Sequence, residues 1–181
     1  AIVLADVSGK GMGAALLMSS TRTVLRLVAE TGPPPGEVLS RVNSILLNDF
    51  PTTKFVTMVY GVLDPENRSF VFASAGHPHP LFVDSRGARF LGTEAGLPLG
   101  IREGSFSERV VQMTSGSSLV FYTDGVTEAL NSSLDQYGET RLRAHAAESS
   151  ATAHSILEDV RSFTSGQSAS DDVTVVMLRA S

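Results

Sequence analysis

The chain has 181 residues, 42% of them hydrophobic and 18% charged, with a formal net charge of −5. That length and apolar content suit one domain with a buried core, and the acidic balance, with no basic run, argues against nucleic acid or an anionic membrane as partner. Cysteine is absent, which excludes a disulfide scaffold, a thiolate metal site and a cysteine nucleophile; with no apolar run of spanning length and no signal-peptide pattern, the cytoplasm is the expected compartment.

Ala1-Ile2-Val3-Leu4-Ala5 reads as a buried strand with no turn or cap before it. The expectation is one domain over 1–181 that begins part-way through, lacking its N-terminal segment. Gly9, Gly11 and Gly13 then make a flexible turn. Met12 to Ala29, rich in Ala, Leu and Met, reads as a helix stopped by Thr31-Gly32 and the Pro33–Pro35 run. A second helix places Val38, Leu39, Val42, Ile45 and Leu46 on one stripe. Phe55–Leu63 and Phe70–Ala75 read as paired strands joined by a turn at Asp64-Pro65-Glu66-Asn67. Leu81–Val83, Phe90–Leu91, Phe106–Met113 and Ser118–Tyr122 continue the strands, with a turn at Ser85-Arg86-Gly87. Leu142–Glu148 and Thr152–Phe163 return to helix, Ser165–Ser170 is a polar low-complexity loop, and Val173–Leu178 closes the chain as a β-branched strand. There is no internal repeat. Helices in blocks and strands in blocks define an α+β fold with mainly antiparallel sheets.

Three aspartates fall at strand ends: Asp6 after Ile2–Ala5, Asp124 after Ser118–Tyr122, and Asp171 just before Val173–Leu178. In an antiparallel sheet one strand starts where its neighbours finish, so these carboxylates can meet at one edge. Magnesium and manganese prefer carboxylate, carbonyl and water oxygens. A pair of such ions about 4 Å apart lowers the pKa of a water for in-line attack on phosphate, without a protein nucleophile. Each aspartate also has a plainer reading. Asp6 suits a helix N-cap or turn, Asp124-Gly125 a hairpin turn, and Asp171-Asp172 a solvated turn.

Asp6-Val7-Ser8-Gly9-Lys10-Gly11 followed by Ala14-Ala15-Leu16-Leu17-Met18 resembles the first motif of the SpoIIE-like (RsbU-type) branch of the PPM, or type 2C, metal-dependent serine/threonine protein phosphatases. Ala75-Gly76-His77-Pro78, Gly96-Leu97-Pro98-Leu99-Gly100, Tyr122-Thr123-Asp124-Gly125-Val126-Thr127-Glu128-Ala129 and Asp171-Asp172-Val173-Thr174 follow in the family's order. The resemblance implies a four-layer α/β/β/α sandwich and two Mn²⁺ or Mg²⁺ ions. Asp6 matches the carboxylate bridging both metals, Val7 the position whose backbone carbonyl binds one, and Asp124 and Asp171 the carboxylates holding the other. Asp172 matches a neighbouring polar position. An acidic ligand that the family carries on an upstream strand has no match here. The resemblance also implies a phosphorylated STAS-domain anti-anti-sigma regulator as substrate, with an N-terminal sensor domain and a homodimer as further features of such proteins.

Among the other polar residues, Lys10 reads as solvated or phosphate-facing, and His77 as a structural hydrogen-bonding group or a contact to substrate or metal-bound water. His79 reads as a surface turn residue, His145 and His154 as solvated helix residues, and Glu128 as a cap or bridge after Asp124. The Met12, Leu16, Leu17 and Met18 cluster reads as core. Two other functions compete: a catalytically weak phosphoprotein-binding module of the same fold, and a histidine-kinase-like ATPase, suggested by Asp6 ahead of three glycines but lacking an Asn-bearing upstream helix.

Overall fold

A computed structural model of the protein describes residues 1–49, 54–93, 96–165 and 171–181. In chain order the elements are β1 (Ile2–Val7), α1 (Met12–Ala29), α2 (Pro35–Asp49), β2 (Val56–Asp64), β3 (Ser69–Ala75), β4 (Leu81–Asp84), β5 (Gly87–Phe90), β6 (Glu108–Gln112), β7 (Ser118–Tyr122), α3 (Asp124–Thr127), α4 (Gly138–Ala146), α5 (Ala153–Phe163) and β8 (Val175–Arg179). Of the polar loop expected from Ser165 onward, residues 166–170 lie outside the described residues. The chain divides into two compact units, Ala1–His77 with Gly92–Gln112, and Pro78–Leu91 with Met113–Ser181.

The first unit carries an antiparallel sheet in the order β1-β2-β3-β6. Its core joins Val56, Met58 and Tyr60 of β2 and Ala73 and Ala75 of β3 to Leu17 and Leu25 of α1 and to Val38, Leu39, Val42 and Leu46 of α2. The α2 stripe is the one its periodicity predicts, except that Ile45 is only half-buried. The α1 cluster divides: Leu17 is buried, whereas Met12 and Leu16 are 81% and 61% exposed, so those two are not core. Fully buried Asn43 on α2 donates through Nδ2 to Arg102 O (2.9 Å) and accepts from Gly100 N (2.8 Å). One amide side chain thus satisfies two backbone groups at the end of the Gly-Leu-Pro-Leu-Gly run and just beyond it. The turn between β2 and β3 closes where expected: Asp64 Oδ1 accepts from Glu66 N and Asn67 N, both at 3.0 Å.

The second unit carries a sheet in the order β5-β4-β7-β8, also antiparallel. All five residues of β7 are buried, as befits a strand paired on both sides. Its helical side packs Leu142 and Ala146 of α4 and Ile156 and Val160 of α5 with Tyr122, Val126 and Tyr137. The helix α5 opens on a capping box, in which Thr152 Oγ1 accepts from Ser155 N and Ser155 Oγ accepts from Thr152 N. The preceding helix, α4, begins and ends earlier than the apolar spacing suggests. Its first turn, Glu139-Thr140-Arg141, is polar and gives no periodic signal, yet these residues accept helical geometry readily.

Candidate metal centre

In the second unit, β7 and β8 pair up to Tyr122↔Val175. Thr123 carries the pairing further: its N–H donates to Thr174 O (3.1 Å), its Oγ1 accepts from Thr174 N (3.0 Å), and its hydroxyl donates to Asp172 O (2.8 Å). The next residue but one must then come very near the same carbonyl. A Cβ placed on Gly125 would stand 2.4 Å from Asp172 O, so only glycine admits this approach. Asp124 and the Asp171-Asp172 pair are thereby held on adjoining segments at one end of β7 and β8.

The local structure at Asp124 differs from a hairpin turn. Thr123 is extended (φ −85°, ψ 158°), and Asp124 opens α3, whose last bond runs from Glu128 N to Asp124 O (2.8 Å). Glu128 therefore ends this helical turn through its backbone, while its side chain is exposed. Asp124 Oδ1 is buried and has no hydrogen-bond partner among the described residues. A buried carboxylate oxygen left in that condition costs about 1–3 kcal/mol or more. A hard cation is the partner that such an oxygen suits. Asp171, by contrast, is exposed, and its Oδ1 accepts from Asp172 N (2.9 Å).

In the first unit, Asp6 lies inside β1 rather than beyond it, opposite Thr57 on β2. The helix-cap reading is thus replaced by a strand position, because β1 runs on to Val7. Opposed residues of an antiparallel pair share a face. Thr57 Oγ1 in turn sits 2.9 Å from His77 Nδ1, and Ser74 Oγ donates to His77 O (3.3 Å). His77 is 4% exposed, which suits the hydrogen-bonding role expected of it. Val7 stands opposite Val56, but Val56 exchanges its backbone bonds with Leu99 (3.0 and 2.8 Å), so its N–H is not available to the carbonyl of Val7. Among the described residues, no group of three His, Asp or Glu side chains stands close enough to hold a metal ion by itself. A metal on Asp124 and Asp171 would accordingly need carbonyl or water oxygens as well, which is ordinary for magnesium and manganese.

Lys10, His79 and His154 are exposed. His145 is not the solvated residue its helix position suggests. Its side chain is 19% exposed, with Nε2 3.1 Å from Ser155 Oγ and Nδ1 3.8 Å from Glu148 and 3.9 Å from Asp159. The packing of α4 against α5 encloses it. Thr57 and Thr123, which tie the site segments together, carry no motif signal of their own apart from Thr123's place before Asp124.

Two structures of the phosphatase domain of SpoIIE, a cell-fate determinant of Bacillus subtilis, share this fold. One, described as a PP2C phosphatase domain, aligns with TM-score 0.80 at 22% identity, over 98% of this chain and 53% of that one. The other, presoaked with manganese, aligns with TM-score 0.60 at 18% identity, over 97% and 87% of the two chains. The RsbU and RsbW domains of a Mycobacterium tuberculosis protein align with TM-score 0.84 at 32% identity, over 98% of this chain and 51% of that one. The fold is therefore that of the type 2C phosphatases. The phosphoserine phosphatase RsbU of Bacillus subtilis is 34% identical over 129 residues, 70% of this chain and 38% of that protein. The family model for Stage II sporulation protein E matches residues 1–181, and the chain belongs to the SpoIIE family. It spans less than half the length of that RsbU.

Proposed function

We propose that this chain is the catalytic part of a cytoplasmic, metal-dependent protein serine/threonine phosphatase. In this reading Asp6, the carbonyl of Val7, Asp124 and Asp171 hold Mn²⁺ or Mg²⁺. The observation that carries it is the buried Oδ1 of Asp124 at the end of β7, which has no hydrogen-bond partner among the described residues. Membership of the SpoIIE family supports the same reading. A bound divalent ion would supply an activated water for attack on a phosphate ester. The chain's own residues do the rest. Thr123 and Gly125 keep the Asp171-Asp172 segment against Asp124. Thr57 and His77 brace the strand beside Asp6. The likeness to a phosphoserine phosphatase supports a phosphorylated protein as substrate; we further propose that this protein is a STAS-domain regulator, and that the whole protein carries an N-terminal sensor domain and is a homodimer.

The test is hydrolysis of a phosphoserine protein or peptide, with Mn²⁺ and after its removal by chelation. Turnover that appears with Mn²⁺ and disappears with chelator supports the reading. Phosphopeptide binding with no turnover at saturating Mn²⁺ would replace it with a binding module of the same fold.

A further inference from the structure

The strands β1 and β2 stay in step beyond their last paired residues. Val7 stands opposite Val56, Ser8 N donates to Phe55 O (2.9 Å), and Phe55 N donates to Ser8 Oγ (2.8 Å). One step further, Lys54 comes to lie against Gly9. Its Nζ is 2.8 Å from where a Cβ on Gly9 would stand, and its Cε is 3.5 Å from the same point on Gly13. The half-buried lysine stem thus runs along two residues without side chains, and its ammonium group is delivered to the turn that leaves Asp6. The paired bonds of Ser8 and Phe55 fix the backbone from which it springs.

The chain's usage of cations singles out this turn. Lysine occurs only at positions 10 and 54, and every other basic side chain apart from histidine is arginine. Lys10 stands in this turn, and the side chain of Lys54 reaches it. An ammonium is a compact point charge with rotatable donors, suited to a phosphate oxygen in a confined space, whereas a guanidinium demands a planar, bidentate partner. A phosphoserine carries close to two negative charges near neutral pH. It must approach a region whose carboxylates repel it. A fixed cation beside the metal-holding strand offsets that repulsion and orients the phosphoryl group.

We propose that Lys54 is a positioning residue for the phosphoryl group of the substrate, its Nζ donating a charge-assisted hydrogen bond to a non-bridging phosphate oxygen. The assignment rests on the phosphatase reading above for its substrate, but not for its geometry. The test measures binding of inorganic phosphate by calorimetry in the presence of Mn²⁺, alongside turnover of a phosphoserine peptide. Lys54→Met keeps the stem and removes the charge, and is expected to weaken phosphate binding about 10- to 100-fold. The KM for the phosphopeptide should rise by a similar factor, with kcat changing less. Lys54→Arg should recover part of the loss, and Mn²⁺ affinity and Tm should stay as in the wild type. Unchanged phosphate affinity in Lys54→Met overturns the proposal. So does tighter Mn²⁺ binding with unchanged phosphate affinity, which would make Lys54 a counter-ion of the carboxylates. Phosphate binding that depends on Lys54 without any turnover would leave this proposal standing and remove the phosphatase reading. Turnover with no dependence on Lys54 would do the reverse.

Discussion

At the scale of single residues, Asp124 carries a charged group under tension. Its Oδ1 is withdrawn from water and has no hydrogen-bond partner among the described residues. In the metal-free protein this oxygen opposes folding; on the proposed reading a bound cation would become its partner. Asp124→Asn separates the two effects, because the amide keeps the shape and removes the charge. We expect the metal-free variant to be as stable as the wild type or up to about 1–2 kcal/mol more so. Its gain in Tm on adding Mn²⁺ should vanish, and phosphatase turnover should fall by about 100-fold or more. Scanning calorimetry with and without Mn²⁺ checks the first pair of outcomes. A variant that unfolds far more easily without metal would show that Asp124 is structural. Gly125 is the companion case. Alanine would add helix propensity worth up to about 1 kcal/mol in α3. Its Cβ, however, would meet the Asp172 carbonyl, 2.4 Å to oxygen and 3.0 Å to carbon, so backbone must move. The clash should win: Gly125→Ala is expected to lose about 1–3 kcal/mol of stability and to weaken Mn²⁺ binding together. Unfolding and metal titration of one sample would check both.

At the scale of elements, the polar pin between α2 and the end of the Gly-Leu-Pro-Leu-Gly run sets a stability test. Asn43→Ala would leave Gly100 N and Arg102 O without the fully buried side chain that partners them. We expect a loss of about 2–4 kcal/mol in denaturant unfolding, with Asn43→Asp little better, since it lacks the donor for Arg102 O and buries a charge. A loss below about 0.5 kcal/mol would mean that the segment is held by other contacts. This pin also shows which features the sequence could disclose. The helix α1 was legible at both ends because glycines and a proline run punctuate it, and β7 because four apolar residues, Leu119 to Tyr122, stand between polar turns. Asp124 was legible as a residue at the end of a strand, but β1 runs one residue beyond Asp6 and so places it inside the strand, and β8 opens at Val175 rather than Val173, four residues after Asp171. What was not legible depends on register. Asn43 meets Gly100 across 57 positions, Phe55 meets Ser8 across 47, and Thr123 meets Asp172 across 49. No local pattern announces such pairs, because their partners are chosen by sheet pairing and packing. His145 was misread for the same reason: its helix is polar overall, and only the neighbouring α5 encloses it.

At the scale of the whole molecule, the chain holds three tyrosines, no tryptophan and no cysteine, so its response to alkali has one dominant source. All three, Tyr60, Tyr122 and Tyr137, are buried. Burial raises the pKa of each phenol, and Glu139 adds to this at Tyr122. At Tyr137 the hydrogen bond to Asp159 adds to it as well. A phenol with a raised folded-state pKa is protonated in the native state at pH values where the unfolded chain has released its proton. Between the two values the unfolded state binds fewer protons, so stability falls as pH rises. The contribution is therefore intact below the unfolded value, about pH 10, and is lost above it. Few tyrosines should ionise one by one in the native protein. Tyrosinate absorbance should instead appear as a cooperative step, coincident with loss of circular dichroism and displaced above the free-phenol titration. Tyr137→Phe should blunt this dependence by removing one titrating group, while also losing the bond to Asp159 that favours the neutral-pH fold. A gradual absorbance rise centred near the free-phenol value, with the fold still intact, would show that the tyrosines reach solvent without unfolding.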